Sequence, residues 1–190
     1  PNLYTLRGDK IRSAMAFIHS LDRVIALSPE TLVNGHDLFR GTDEILTTMT
    51  KVRDATTYLR DRTIDGMNSG ADLWTLMRDV ALPGELALPE VHGKVSWIVR
   101  AIWEEHAGWF RYESTTELYD VPPASIWPDI VDLVGGTGNL TERAANHVEN
   151  DRPLEALHLT DIVLAYAPTD CDALSVKRIA LQQLLAASGR

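Results

Sequence analysis

The chain has 190 residues, 45% of them hydrophobic and 24% charged, with 18 basic and 27 acidic side chains giving a net charge of −9. That composition excludes disorder, and the length allows one full domain, or one domain and a piece of another, with a core that needs no staples. The acidic balance speaks against nucleic acid or an anionic membrane surface as the main partner, and no apolar run reaches the roughly 18 residues of a stable membrane insertion.

The single cysteine, Cys171, permits neither an intrachain disulfide nor a cysteine-based zinc site, and leaves the redox compartment open. The chain begins Pro1-Asn2-Leu3, with neither a methionine nor a signal-peptide pattern, so a processed or excised piece of a longer protein is expected.

In chain order the elements read almost entirely as helices. Tyr4 to Leu6 is short and extended. From Asp9 the apolar residues Ile11, Ala14, Phe17, Ile18, Leu21, Val24 and Ile25 step mostly by three and four, one helical face ending near Leu27. Ser28-Pro29 stops it, because a residue before proline is pushed out of the α region. Thr31-Leu32-Val33 is β-prone and runs into the turn signal Asn34-Gly35-His36. Thr42, followed by Asp43 and Glu44, has the form of an N-cap with acids in the first turn. The stripe Ile45, Met49, Val52, Leu59, Ile64 and Met67 predicts a long helix ending toward Gly66–Gly70. Further helices are expected over 72–80, 92–110 and 126–133.

The last 50 residues differ in texture. Helices are expected over 140–150, 154–167 and 172–187, and Ala144, Ala156 and Pro168 fall twelve residues apart. Small residues at that spacing let two helices approach closely, as in a tetratricopeptide helix hairpin, although Val163 stands where that repeat has a small residue. One such unit cannot bury its face alone, so it should dock on preceding helices or on another subunit.

Few residues are equipped for chemistry. His36 stands at a strand end beside a glycine turn, where enzymes place metal ligands, though a loop histidine in solvent is the plainer reading of the residue by itself. His19, His147 and His158 fall within helices and read as structural or surface residues. His92 and His106 share a helix but are fourteen residues apart, about four turns, too far to hold one metal. No HxH, HExxH, Cys-x-x-Cys, G-x-S-x-G, P-loop or G-x-G-x-x-G pattern occurs. Asn2, Thr5, Arg7 and Arg12 cluster hydrogen-bond donors whose arginine forks suit an oxyanion, against a plain solvated stretch. Trp97, Trp103, Trp109, Phe110 and Tyr112 crowd one helix and its exit, which favours core or interface over a substrate pocket.

Taken together and in order, Asn2-Leu-Tyr-Thr-Leu-Arg-Gly8, Ser20-Leu-Asp-Arg23 and Leu32-Val-Asn-Gly-His36 resemble the end of the metallo-β-lactamase-type domain of alkyl sulfatases. The Arg53–Thr63 helix, the Leu82-Pro83 stop, Gly108-Trp-Phe110, Asp132-Leu-Val-Gly-Gly136 and the closing hairpin resemble their dimerisation domain. The resemblance covers nearly the whole chain. It implies a mainly α fold: a short α/β remnant of a hydrolase domain over 1–40, then a helical dimerisation domain over 41–190.

It also implies a homodimeric hydrolase with two zinc ions, cleaving the sulfate esters of alkyl chains. His36 falls at the metal ligand after the family's last hydrolase strand. Asn2, Thr5 and Arg7 fall on the Asn-x-x-Thr-x-Arg stretch that holds sulfate, with Arg12 as a further candidate. The family's His-x-His-x-Asp-His motif would lie upstream of Pro1, so the 190 residues alone are expected to be inactive. His106 stands where these enzymes carry a tyrosine near the substrate, and the Arg111–Thr115 run also departs from their pattern. Two other readings are a non-catalytic helical dimerisation or scaffold module and a tetratricopeptide-type adaptor; the single hairpin speaks against the adaptor.

Overall fold

A computed structural model describes residues 12–90, 93–111 and 113–188. The expected extended stretch at Tyr4–Leu6 and the start of the first expected helix lie outside them. The chain divides into two compact units, Pro1–Ser114 and Thr115–Arg190. Both are mainly helical, as the sequence patterning predicts.

In the first unit, α1 spans Ala14–Ala26 and buries Ala14, Ile18 and Leu21, the residues that recur on one helical face. Ser28 then takes a positive φ of 46°, and a small hairpin follows. Its strands, β1 (Thr31–Val33) and β2 (Leu38–Arg40), pair antiparallel with Leu32 opposite Phe39. These two are half-buried while Val33 and Leu38 are exposed, the alternation of a one-sided hairpin.

Helix α2 runs from Thr42 to Asn68, about 40 Å at the usual rise. Thr42 is its first helical residue and Gly41 the cap, so the expected Thr42 N-cap is displaced by one position. The buried face also differs from the expected stripe. Ile45 and Leu59 are buried, but Met49, Val52, Ile64 and Met67 are only half-buried, and Ala55, Thr56 and Thr63 take the interior instead. Threonine is tolerated there because each hydroxyl donates to the carbonyl one turn back, Thr56 to Val52 at 2.8 Å and Thr63 to Leu59 at 2.7 Å.

The corner after α2 is tight. A Cβ on Gly66 would sit 2.3 Å from Leu76 Cδ2. Gly70 has φ +81°, and the Ala71 N–H returns to the Gly66 carbonyl at 3.0 Å, closing the helix with a left-handed glycine. Helix α3 (Leu73–Asp79) starts on the Asp72 cap. After a 3-10 turn at Gly84–Leu86, α4 covers Val95–Ala107, shorter at both ends than the expected 92–110. Ile98, Val99, Ala101, Ile102 and Trp103 of α4 are buried. Ile98 and Ile102 pack with Ala14 and Leu59, while Val99 and Trp103 pack with Leu73 and Leu76. Trp103 is thus core, Trp97 is half-buried and Trp109 is exposed.

In the second unit, 3-10 turns at Thr115–Leu118 and Pro123–Ile126 precede α5 (Trp127–Leu133), α6 (Thr137–Glu149), α7 (Pro153–Tyr166) and α8 (Cys171–Ala187). Helices α6 and α7 form the expected hairpin, turned by Asp151 at φ +56°. Ala144 and Ala156 are fully buried within it. The hairpin face is covered from both sides: Val131 of α5 and Ala173 of α8 join Leu140 and Val163, while Ala180 of α8 joins Ala144, Val148 and Ala156. The Gln183 amide of α8 also donates to the Val148 carbonyl at 3.1 Å.

Candidate functional site

The residues expected to handle substrate meet the described structure at the first turn of α1. The N–H groups of a helix's first turn have no partner within the helix, so something else must accept from them. Here two side chains do. Ser13 Oγ accepts from the Ala16 N–H at 3.2 Å, an ordinary local cap. Glu105 Oε2 accepts from the Ala14 N–H at 3.0 Å, across 91 residues of sequence. Apolar packing fixes the same spot, since Ala14 is buried against Ile98 and Ile102 of α4.

Arg12 immediately precedes this cap and is exposed. His106, the residue after Glu105, is also exposed. The Glu105 bond therefore brings the chain around Arg12 to the last turn of α4, where His106 lies. Sequence reasoning did not single out Glu105. A faint signal was available: Glu104 and Glu105 place two acids in the final turn of α4, where the helix dipole disfavours negative charge. Glu104 is paired with Arg100 at 2.7 Å, and Glu105 reaches to the start of another helix.

Beyond Gly108 the chain turns back toward α3. The Trp109 and Phe110 rings are tilted, with centroids 6.0 Å apart. The Arg111 guanidinium lies 5.9 Å from the Trp74 ring centre, and the Trp74 indole N–H donates to Glu113 Oε1 at 2.8 Å. Arg111 and Glu113 thus pack beside α3.

His36 lies at the tip of the β1–β2 hairpin and is exposed. Asn34 sets the turn: its Oδ1 accepts from the N–H groups of His36 at 2.8 Å and Asp37 at 2.7 Å. The backbone of His36 is therefore held while its imidazole faces outward. Among the described residues no three His, Cys, Asp or Glu side chains converge as a metal-binding group. Asn2, Thr5 and Arg7 lie outside the described residues. His19 and His158 are exposed and His147 is half-buried.

The sequence profile of the family described as alkyl sulfatase dimerisation matches residues 76–189, from within α3 to the end of α8. This chain belongs to that family. It is 33% identical over 142 residues to a linear primary-alkylsulfatase of a Pseudomonas species, covering 72% of this chain and 27% of that protein. An (R)-specific secondary-alkylsulfatase from Pseudomonas is 25% identical over 192 residues, 96% of this chain and 29% of that one. The solved structure of a stereoselective inverting sec-alkylsulfatase of a Pseudomonas species superposes with a TM-score of 0.85 at 25% identity, over 96% of this chain and 30% of its own. The chain thus spans under a third of the length of these relatives. The matched region takes in α3 from Leu76 and all of α4, whose Glu105 accepts from the start of α1.

Proposed function

We propose that this chain is the part of a zinc-dependent alkyl sulfatase that closes its hydrolase domain, over residues 1–40, and joins two subunits, over 41–190. What supports the reading most is the alignment with alkylsulfatases along 96% of the chain, not only along the dimerisation region. The bond from the Ala14 N–H to Glu105, two residues after Arg12, is the physical counterpart. It supports the reading because it holds the backbone next to Arg12, whose guanidinium suits a sulfate monoester, against a helix of the dimerisation region.

In this reading Asn2, Thr5, Arg7 and Arg12 hold the sulfate, and His36 is one ligand of a two-zinc site. An outward imidazole on a backbone fixed by Asn34 fits a ligand that other chain segments complete. Zinc, when bound, supplies an activated water at neutral pH. The chain's own residues bind and orient the ester: the hydroxyl and amide of Thr5 and Asn2 donate to sulfate oxygens, and the guanidinium groups of Arg7 and Arg12 balance its charge.

Two copies associate in this reading. From Leu46 to Asp54, α2 carries no fully buried side chain, yet Met49 and Val52 are half-covered apolar residues. Such a helix gains by packing against a partner. The α6–α7 hairpin keeps the tetratricopeptide-like spacing in this picture, serving as scaffold rather than as a peptide-binding array.

The decisive experiment uses the enzyme expressed from the complete gene. Release of sulfate from an alkyl sulfate is expected, and His36→Ala should lower zinc content and turnover together. An active enzyme whose zinc content is untouched by His36→Ala removes the ligand assignment; no sulfate release at all removes the reading. The 190-residue chain alone should sediment at about twice its 21.1 kDa mass, and a monomer at tens of micromolar would rule out association through this region.

A further inference from the structure

We infer that Glu105 is a positioning residue for substrate binding, acting through Arg12 from the dimerisation side of the chain. The inference rests on the sulfate-binding reading of Arg12 given above. Its observation is separate: one carboxylate oxygen of α4 accepts the Ala14 N–H at 3.0 Å, two residues after Arg12. Ser13, between them, is the helix cap, with φ −59° and ψ 125°.

That geometry leaves little slack. The backbone on the helical side of Arg12 is held at Ser13 by its own cap and at Ala14 by Glu105, and Ala14 is buried against α4. The Ser13 bond fixes the local turn only. Of these two caps only the Glu105 bond reaches α4, where it adds direction to the packing of Ala14 on Ile98 and Ile102. Removing it should leave α1 helical and its first turn held on α4 by the packing of Ala14 alone, which resists sliding less than a directed bond does. A drift of a fraction of an ångström at Ala14 carries Arg12 with it, and a guanidinium fork tolerates little misplacement on a tetrahedral oxyanion. The cost should appear in substrate binding, because the Glu105 bond holds the backbone of α1 beside a residue read as binding sulfate.

The test uses the enzyme from the complete gene, with octyl sulfate as substrate. Glu105→Ala should raise KM about tenfold, with kcat changing less than about twofold, the scale expected for one lost cap that is shared by a binding element. Glu105→Gln keeps an oxygen acceptor and should restore KM to within about twofold. Ser13→Ala removes a cap from the same turn without touching the tie to α4; it should lower the melting temperature while leaving KM near its starting value. Arg12→Ala should itself raise KM, and adding Glu105→Ala to it should raise KM no further.

Equal KM effects from Ser13→Ala and Glu105→Ala would reduce Glu105 to an ordinary cap and overturn the inference. So would a full additional KM increase in the double variant, which would leave the sulfatase reading intact, or an unchanged KM in Arg12→Ala, which would remove Arg12 alone from its sulfate-holding residues. A wild-type enzyme releasing no sulfate would overturn both.

Discussion

The two units solve helix packing in opposite ways. In the first, long side chains fill the space between helices: Leu59, Leu73, Ile98, Ile102 and Trp103 are buried, with alanines only at Ala14, Ala55 and Ala101. In the second, the centre is built from Ala144, Ala156, Ala173 and Ala180, all fully buried, and Leu140 is the largest buried side chain. Helices set apart by large residues lose most when a side chain is cut down. Helices in near contact lose most when one is enlarged. The first arrangement lets a single long helix, α2, serve as a spine for α1 and α4; the second makes a thin stack of α6, α7 and α8 with no room to spare.

The sharpest way to break this contrast is to exchange the two kinds of substitution. Ile102→Ala should destabilise the first unit by about 3 kcal/mol, through lost burial and the cavity left between α1, α2 and α4. Amide exchange should accelerate in those helices and not in α6–α8. Ala156→Leu should cost the second unit about 2 kcal/mol by overpacking α6 against α7, with the exchange pattern reversed. If the leucine were accepted without loss, the helices of the second unit would not be in close contact, and the comparison would fail.

A smaller effect sharpens the same contrast at the corners. The first unit turns from α2 to α3 with Gly70 in the left-handed region, while the second turns from α6 to α7 with Asp151 there, at φ +56°. The Arg152 N–H then returns to the His147 carbonyl at 2.8 Å, so the turn is held despite the strain. Asp151→Gly relieves the steric cost of a side chain in that conformation, and should stabilise the second unit by about 0.5–1 kcal/mol. A rise in the urea midpoint is the expected reading; a fall would mean that the aspartate side chain contributes more to the turn than its conformation costs.

Much of this plan is written in the residue pattern. Proline and glycine mark the helix ends closely, and the small residues at 144 and 156 identify the hairpin before any coordinates do. The face of α2 was misread for a physical reason. Threonine counts as polar in a periodicity, yet Thr56 and Thr63 satisfy their hydroxyls within the helix and pack as small apolar groups. The expected cap at Thr42 failed for a related one, because Gly41 precedes it in a non-helical conformation and the chain enters the helix there. The candidate site was legible only in pieces. Arg12 stands out by the donors around it and His106 only through the family resemblance, but a side chain accepting from a backbone N–H across 91 residues leaves no periodic trace.

The smallest expected effect concerns the caps of the two units. Asp72 opens α3 with two bonds, Oδ1 accepting from the Thr75 N–H at 3.0 Å and Oδ2 from the Thr75 hydroxyl at 2.8 Å. Asp170 opens α8 with one, from the Ala173 N–H at 3.0 Å. The Thr75 backbone N–H above all, and its hydroxyl next, hold the Asp72 carboxyl below its ordinary value, because both bonds favour the charged form. A group whose pKa is lower in the folded chain stabilises it above the unfolded value, about 3.9 for aspartate, and that contribution is lost as pH falls through the folded value. The stability gap between wild type and Asp72→Ala should therefore stay constant from pH 7 down to about 5 and narrow below about 4. At neutral pH, Asp72→Ala should also lower the urea midpoint more than Asp170→Ala does, since two bonds are lost in place of one. A gap that widens on acidification would reverse the sign and show that the protonated carboxyl is the better cap.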